Sequence, residues 1–312
     1  MLHSKYNLHN VRKAIRDPSL LFVETQRWAR RANHAIHDRY SREEATRVMD
    51  EDWDSLVILD GCRYDAFQVR CEIDGRLESR RSLGSHSEEF LQQNFPETYH
   101  DTIYVTTNPF APSIVDDDTF HAMVPLLEEW DADYETVHPE TVTRRASEIA
   151  EAYPDKRLIV HYMQPHYPFI GDIGDRLDHR GHNSRMDDPA FETPSIWKRL
   201  RNGEDIDLEL VRAAYTENLD IVLEYVEELL EALSGRTVIT ADHGNLIGDR
   251  MSPIPVRGYG HERGLRSPEL VEVPWLIVDD GARPEIRAEE PERRDRIEDS
   301  VVEERLESFG YV

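Results

Sequence analysis

The chain is short of three things, and each shortage removes a class of function. It has two cysteines, Cys62 and Cys71, with no Cys-x-x-Cys pair. Neither a disulfide framework nor a sulfur-ligated structural metal is therefore indicated. It has four lysines, Lys5, Lys13, Lys156 and Lys198, among 37 basic residues, against 63 acidic ones, for a net charge of −26. Without a basic footprint, nucleic acid is not an expected partner. No apolar run approaches the roughly 18–20 residues of a membrane span, and the opening "MLHSKYNLHNVRKAIRD" lacks the apolar stretch of a signal peptide. The cytoplasm is the expected location.

What is present is a globular composition, with 39% hydrophobic residues over 312 positions. The acidic, lysine-poor make-up resembles that of proteins from salt-loving organisms, whose carboxylates hold water and cations in concentrated salt. Residues 1–50 run against this trend, with ten Lys or Arg and six Asp or Glu. There "LLFVETQRWARRANHAI" places Leu21, Trp28 and Ala32 at helical spacing beside Arg27, Arg30 and Arg31. The preferred reading is a helical extension packed on the main domain, its arginines meeting acidic neighbours. The alternative is peripheral contact with an anionic membrane surface. Residues 51–282 read as the main domain, and 283–312 as a charged tail ending in a short helix, "VVEERLESFGYV".

Within 51–282, strand-like and helix-like segments alternate. Strands are expected at 55–60, 102–107, 134–138, 157–163, 236–241 and 273–278. Helices are expected at 87–94, 119–130, 139–152 and 207–233, the last stopped by Gly235. Alternation of this kind gives an α/β fold with a mainly parallel sheet covered on both faces. The segment 171–206 has no periodicity and reads as a long excursion beside the functional edge.

Several strands end in polar clusters of one kind. Asp60 closes "SLVIL", Asp242-His243-Gly244 follows "TVITA", His161 and His166 follow "RLIV", and His261 precedes "VEVPWLIV". Ligands of open α/β sheets bind at the carboxyl ends of the strands, so parallel neighbours would bring these six side chains to one crevice. Carboxylate and imidazole together are ligands for zinc or manganese.

The stretches "LVILDGCRYDAF", "TVITADHGNLIGD" and "YGHERGLRSPELVEVPWLIV" resemble the metal-binding motifs of the alkaline phosphatase superfamily, in its sulfatase-like branch. The resemblance runs from about residue 53 to about 280. It implies a three-layer α/β/α sandwich, a divalent-metal site, and transfer of a phosphoryl or sulfuryl group through a nucleophile. Carried over by motif, Asp60, Asp242, His243 and His261 would be metal ligands. The spacing of His161 and His166 is similar to that in phosphoethanolamine and lipoteichoic-acid-type transferases, where such histidines contact the transferred phosphate or an accessory metal. One catalytic ion, Zn, Mn, Mg or Ca, is expected, with a weaker second ion left open.

The chain departs from formylglycine sulfatases, because neither cysteine stands in their Cys-x-Pro-Ser-Arg motif. Other branches use Ser or Thr at the start of the helix that follows, and this chain offers "SLGSHSEEF". Ser87 is preferred as nucleophile. Ser85, three residues before Glu88, is read as the helix cap, with the reverse assignment left open. Arg63 either braces the turn with Asp65 or reaches the substrate's oxyanion. The expected activity is hydrolysis or transfer on phosphate or sulfate esters. The alternatives are a two-metal phosphodiesterase or phosphomutase and a non-catalytic binding module.

Overall fold

The computed structural model describes residues 18–40, 45–177, 195–292 and 297–309. Much of the 171–206 excursion, including His179 and His182, lies outside the described residues. So do the first 17 positions and the last three.

Seven strands form the central sheet. They are β1 (Ser55–Leu59), β2 (Arg76–Arg81), β3 (Tyr99–Thr106), β4 (Phe120–Pro125), β5 (Arg157–Tyr162), β6 (Gly235–Thr240) and, last in the chain, β9 (Glu272–Asp280). Their order across the sheet is β2-β9-β6-β1-β5-β3-β4. The pairs β6·β1, β1·β5, β5·β3 and β3·β4 are parallel, whereas β9 runs antiparallel to both its neighbours. A separate antiparallel hairpin, β7 (Leu246–Arg250) with β8 (Arg257–Gly260), stands off the sheet.

The unbroken apolar run of β1 follows from burial on both faces. Val57 and Leu59 pack into one core, against Val142 and Ala146 of α5 (Pro139–Ala152) and Leu219, Val222 and Val226 of α7 (Leu208–Leu230). Leu56 and Ile58 point the other way, into a second core with Trp53, Tyr104 and Phe90 of α3 (Ser87–Asn94). Helices cover both faces, giving the three-layer α/β/α sandwich that the sequence predicts.

Two expected elements are different. Residues 119–130 were expected to be helical, but Phe120, Ala122 and Val124 alternate inward and form the edge strand β4. Period two governs there because β3 offers a free parallel edge. Residues 134–138, expected as a strand, make only an isolated bridge between Asp131 and Thr136, and then lead into α5 with His138 as its cap.

The first and last described segments both touch the main domain. Helix α1 (Pro18–Tyr40) docks through Asn33, whose amide exchanges hydrogen bonds of 2.9 Å with the Ile254 backbone, and through His34 and His37, which bond to Arg263, Ser252 and Arg266. Residues 287–292 bond by their backbone to Asp155, His100 and His121. Helix α9 (Asp299–Ser308) brings Phe309 against Tyr167, whose hydroxyl donates to the Phe309 carbonyl. Among the described residues no helix is long and apolar enough to cross a membrane.

One buried side chain stiffens the turn after β1. The Tyr215 hydroxyl on α7 donates to the Gly61 carbonyl at 2.9 Å and accepts from the Arg63 N–H at 3.0 Å. Tyr215→Phe leaves two backbone groups without a partner. It is expected to lower unfolding free energy by about 1–3 kcal/mol, seen as a lower denaturation midpoint at constant m-value.

Candidate metal and nucleophile site

The site lies at the carboxyl ends of four adjacent strands. Asp60 follows β1, Asp242 and His243 follow β6, His161 is in the last turn of pleat of β5, and Asn108 follows β3. Since β6, β1, β5 and β3 are consecutive in the sheet, their ends converge without any long loop having to reach across. Gly61, at φ +67°, turns the chain immediately after Asp60. That left-handed conformation favours glycine.

Asp60, Asp242 and His243 are fully buried, and their ligand atoms lie within 4.8 Å of one another. His243 Nε2 is 3.4 Å from Asp242 Oδ2 and 3.8 Å from Asp60 Oδ1. His161 Nε2 faces the same point, 3.7 Å from Asp60 Oδ2 and 4.0 Å from Asp242 Oδ2. Each side chain is held from behind. Asp242 Oδ1 accepts from the N–H groups of Gly61 and His243 at 3.0 and 2.8 Å. Asp60 Oδ2 accepts from Asn108 Nδ2 at 2.8 Å. Hydrogen bonds of 2.7 Å from His243 Nδ1 to the Gly244 carbonyl and 2.8 Å between His161 Nδ1 and Tyr104 orient both Nε2 atoms inward.

Three inward-facing atoms, Asp60 Oδ1, Asp242 Oδ2 and His161 Nε2, are buried with no hydrogen-bond partner. Native proteins rarely leave such groups unsatisfied, and a divalent cation held by Asp60, Asp242 and His243 would satisfy both carboxylate oxygens. The donor set of carboxylate oxygen and imidazole nitrogen suits zinc or manganese, so the residues fit the ion. Burial and the facing Asp242 hold the Asp60 carboxyl well above the usual carboxylate range. Burial also pushes Asp242 upward, but His243, His161 and the Gly61 N–H outweigh it and hold that carboxyl below its ordinary value. Burial lowers His161 to about 4. Neutral imidazole is the form that ligates metal.

Ser87 is the first residue of α3 and is fully buried. Its Oγ donates to Asp60 Oδ2 at 3.2 Å and lies 3.3 Å from His243 Nε2. The helix cap is a different matter. The expected cap was Ser85, but His86 takes that place, its Nδ1 accepting from the Glu88 N–H at 3.2 Å. Ser85 lies one residue too early. Its N–H and Oγ are both tied to Glu89 Oε2 at 3.0 Å, so the carboxylate that reaches back is Glu89 and not Glu88.

His261, grouped with the ligands from the sequence, stands outside the three-residue set. Its ring stacks on His243 with centroids 4.4 Å apart, and its Nε2 is engaged by His166 Nε2 at 2.8 Å. His166 in turn bonds through Nδ1 to the Tyr167 carbonyl. Burial brings His166 to about 3 and holds His261 well below its ordinary value. Arg63 does not reach this centre. Its fork binds Asp65 at 2.8 and 2.7 Å, and Nη1 binds Asp249 Oδ2 at 2.8 Å and the Asn245 carbonyl at 3.1 Å. It ties the turn after β1 to the start of β7.

Three residues that the sequence reading did not single out belong here: Asn108 and Tyr104, which hold Asp60 and His161, and His86. The His86 ring lies 5.1 Å from that of His261 and 6.3 Å from that of His243. Asn108 carries the same signal as Asp60, a polar residue just beyond a buried strand. His86 and His261, whose rings lie near that of His243, line a cavity of about 260 Å³, with Tyr167, Trp197, Arg201 and Phe309 as further walls.

No family model matches the chain, and no curated protein matches it. Among solved structures it is similar to the integral membrane lipooligosaccharide phosphoethanolamine transferase A (EptA) from Neisseria meningitidis, at 10% identity and a TM-score of 0.48, over 72% of this chain and 47% of that one. It is similar to the C-terminal periplasmic domain of EptC from Escherichia coli in complex with Zn, at 13% identity and a TM-score of 0.48, over 72% of each chain. It is also similar to the phosphonate monoester hydrolase of Agrobacterium radiobacter, at 15% identity and a TM-score of 0.45, over 72% of this chain and 67% of that one. The chain spans about half the length of the first of these.

Proposed function

We propose that the chain is a divalent-metal-dependent enzyme that moves a phosphoryl or sulfuryl group from an ester onto Ser87, and from there to water or to an acceptor alcohol. One observation carries the reading. A buried serine hydroxyl sits at the first turn of a helix, 3.2 Å from one carboxylate and 3.3 Å from one imidazole of a three-residue group whose remaining inward atoms have no partner.

An ion held by Asp60, Asp242 and His243 would lower the pKa of the serine hydroxyl and offset charge on the transferred group. The protein's own groups do the rest. Ser87 Oγ forms a bond to phosphorus or sulfur as the ester oxygen's bond to that atom breaks, and the hydroxyl proton passes to Asp60 Oδ2, which already accepts it. Asn108 keeps that carboxylate oriented. The positive end of α3, which begins at Ser87, favours the anionic group under transfer. His86 and His261 on the cavity floor orient the ester's outer oxygens. The alkoxide released takes a proton from solvent. In the second step the incoming water or alcohol attacks the same centre and gives its proton to solvent, while the bond to Ser87 breaks and Ser87 recovers its proton from Asp60.

The test is a panel of phosphate monoesters, phosphate diesters and sulfate esters, assayed in high salt after chelation, with Zn, Mn, Mg and Ca restored singly. Turnover of at least one ester class that returns only with metal is the expected result. If metal binds and no ester of any class reacts, the chain is a binding module and the reading is wrong.

A further inference from the structure

On a chain with net charge −26, the groove beside α1 is lined by cations. A cavity of about 500 Å³ between α1 and the short helix α6 (Ile196–Arg201) is walled by Arg27, Arg30, Arg31, Lys198 and Arg201, with Glu262 as its single carboxylate. Lys198 is one of only four lysines in the protein. Its volume falls within the roughly 300–1,000 Å³ of small-molecule sites. Burial, and then Arg201 and Arg27, hold the Arg30 guanidinium below its ordinary value against the pull of Glu262, so the cations repel one another. Glu262 answers part of this charge through a 3.1 Å ion pair with Arg201.

The groove shares two walls with the cavity beside the site. Arg201 and Glu262 also line the cavity that His86 and His261 floor. The part of an ester that occupied this cavity would meet Arg201 on its wall, with the other cations of the groove beyond it.

We propose that the groove between α1 and α6 binds a second anionic group of the substrate, a phosphate, sulfate or carboxylate carried at a distance from the ester that reacts. The proposal rests on the reading of the Ser87 site as an ester-transfer centre, and it narrows the substrate class to esters with at least two anionic groups. A flat membrane surface is the less apt occupant, because these cations line a concavity that shares walls with the His86 and His261 cavity rather than flank an apolar face.

Two measurements separate the groove from the catalytic reading. In the first, inorganic tripolyphosphate is titrated calorimetrically into metal-free protein. Binding is expected in the wild type and in Ser87→Ala, and about tenfold weaker in the combined variant Arg27→Gln, Arg31→Gln, Lys198→Gln, as three partly exposed ion pairs would give. In the second, phosphate release from hexane-1,6-diol bisphosphate is compared with release from hexyl phosphate. The wild type should prefer the bisphosphate in kcat/KM by a similar factor, and the triple variant should lose that preference while handling hexyl phosphate unchanged. The single variant Lys198→Gln, on an exposed position of α6, gives a smaller change in the same direction if the triple variant does not fold. Equal tripolyphosphate binding by the variants and the wild type overturns the proposal. So does capture by phosphatidylglycerol vesicles without tripolyphosphate binding, which would make the groove a membrane contact. Failure of every ester to react would defeat the catalytic reading and leave the titration to judge the groove alone.

Discussion

Ser87→Ala is expected to reduce ester turnover by about a thousandfold or more, the scale on which nucleophile removal acts, while metal binding remains. The substitution removes one buried oxygen whose hydrogen bonds go to Asp60 and His243, and it leaves every candidate ligand in place. Ser85→Ala is the matched control. Its hydroxyl is committed to Glu89 and the Glu262 carbonyl, so loss of stability by about 1 kcal/mol with turnover preserved is the expected outcome. Mass spectrometry of acid-quenched enzyme should find the transferred group on a peptide containing Ser87. A Ser87→Ala protein with normal turnover would end the serine-ester mechanism and leave the attack to water.

Metal removal should have the second large effect, and Asp242→Asn should reproduce it. In the wild type, a metal present at a hundred times its dissociation constant adds about 2.7 kcal/mol to unfolding free energy, so the melting temperature should fall on chelation. Asn at 242 can keep the Oδ1 bonds to the Gly61 and His243 N–H groups, and its amide can donate toward His161 and His243 where a carboxylate oxygen had stood without a donor. The variant is therefore expected to fold, to melt no lower than the metal-free wild type, and to gain little on addition of Zn or Mn. Calorimetry with and without chelator reads all three. A full metal-induced shift in Asp242→Asn would remove Asp242 from the ligand set.

The position of the site was legible because it depends on strand ends. An apolar run that stops in Asp60, and another that stops in Asp242-His243, locate two carboxylates and an imidazole once the strands are neighbours. The partner of a side chain is a different kind of fact. Nothing near His261 in the sequence tells that His166, 95 positions earlier, will take its Nε2. The cap of α3 was misassigned for a related reason. The motif Ser-x-x-Glu is present at both Ser85 and the required spacing, but the backbone enters the helix one residue later, at His86, whose imidazole accepts as a serine oxygen would. The edge strand β4 was hidden because "FHAMVPLLEEW" satisfies a helical pattern as well as an alternating one, and only the open edge of β3 decides between them.

The reversed strand β9 has a consequence for how the molecule is made. Among the described residues it is the one strand that pairs with β2 in the sheet, joining Arg76 to Ile277 and Arg81 to Glu272. β2 therefore waits for β9, whose Glu272 pairs with Arg81. The parallel core β6-β1-β5-β3-β4 also closes across a long stretch of chain, since β1 pairs Ser55 with Thr237 of β6. Both closures join strands of high sequence separation, a kind of contact that slows folding and exposes strand edges until it forms, so the strands that bear the site depend on the late-made part of the chain as much as β2 does.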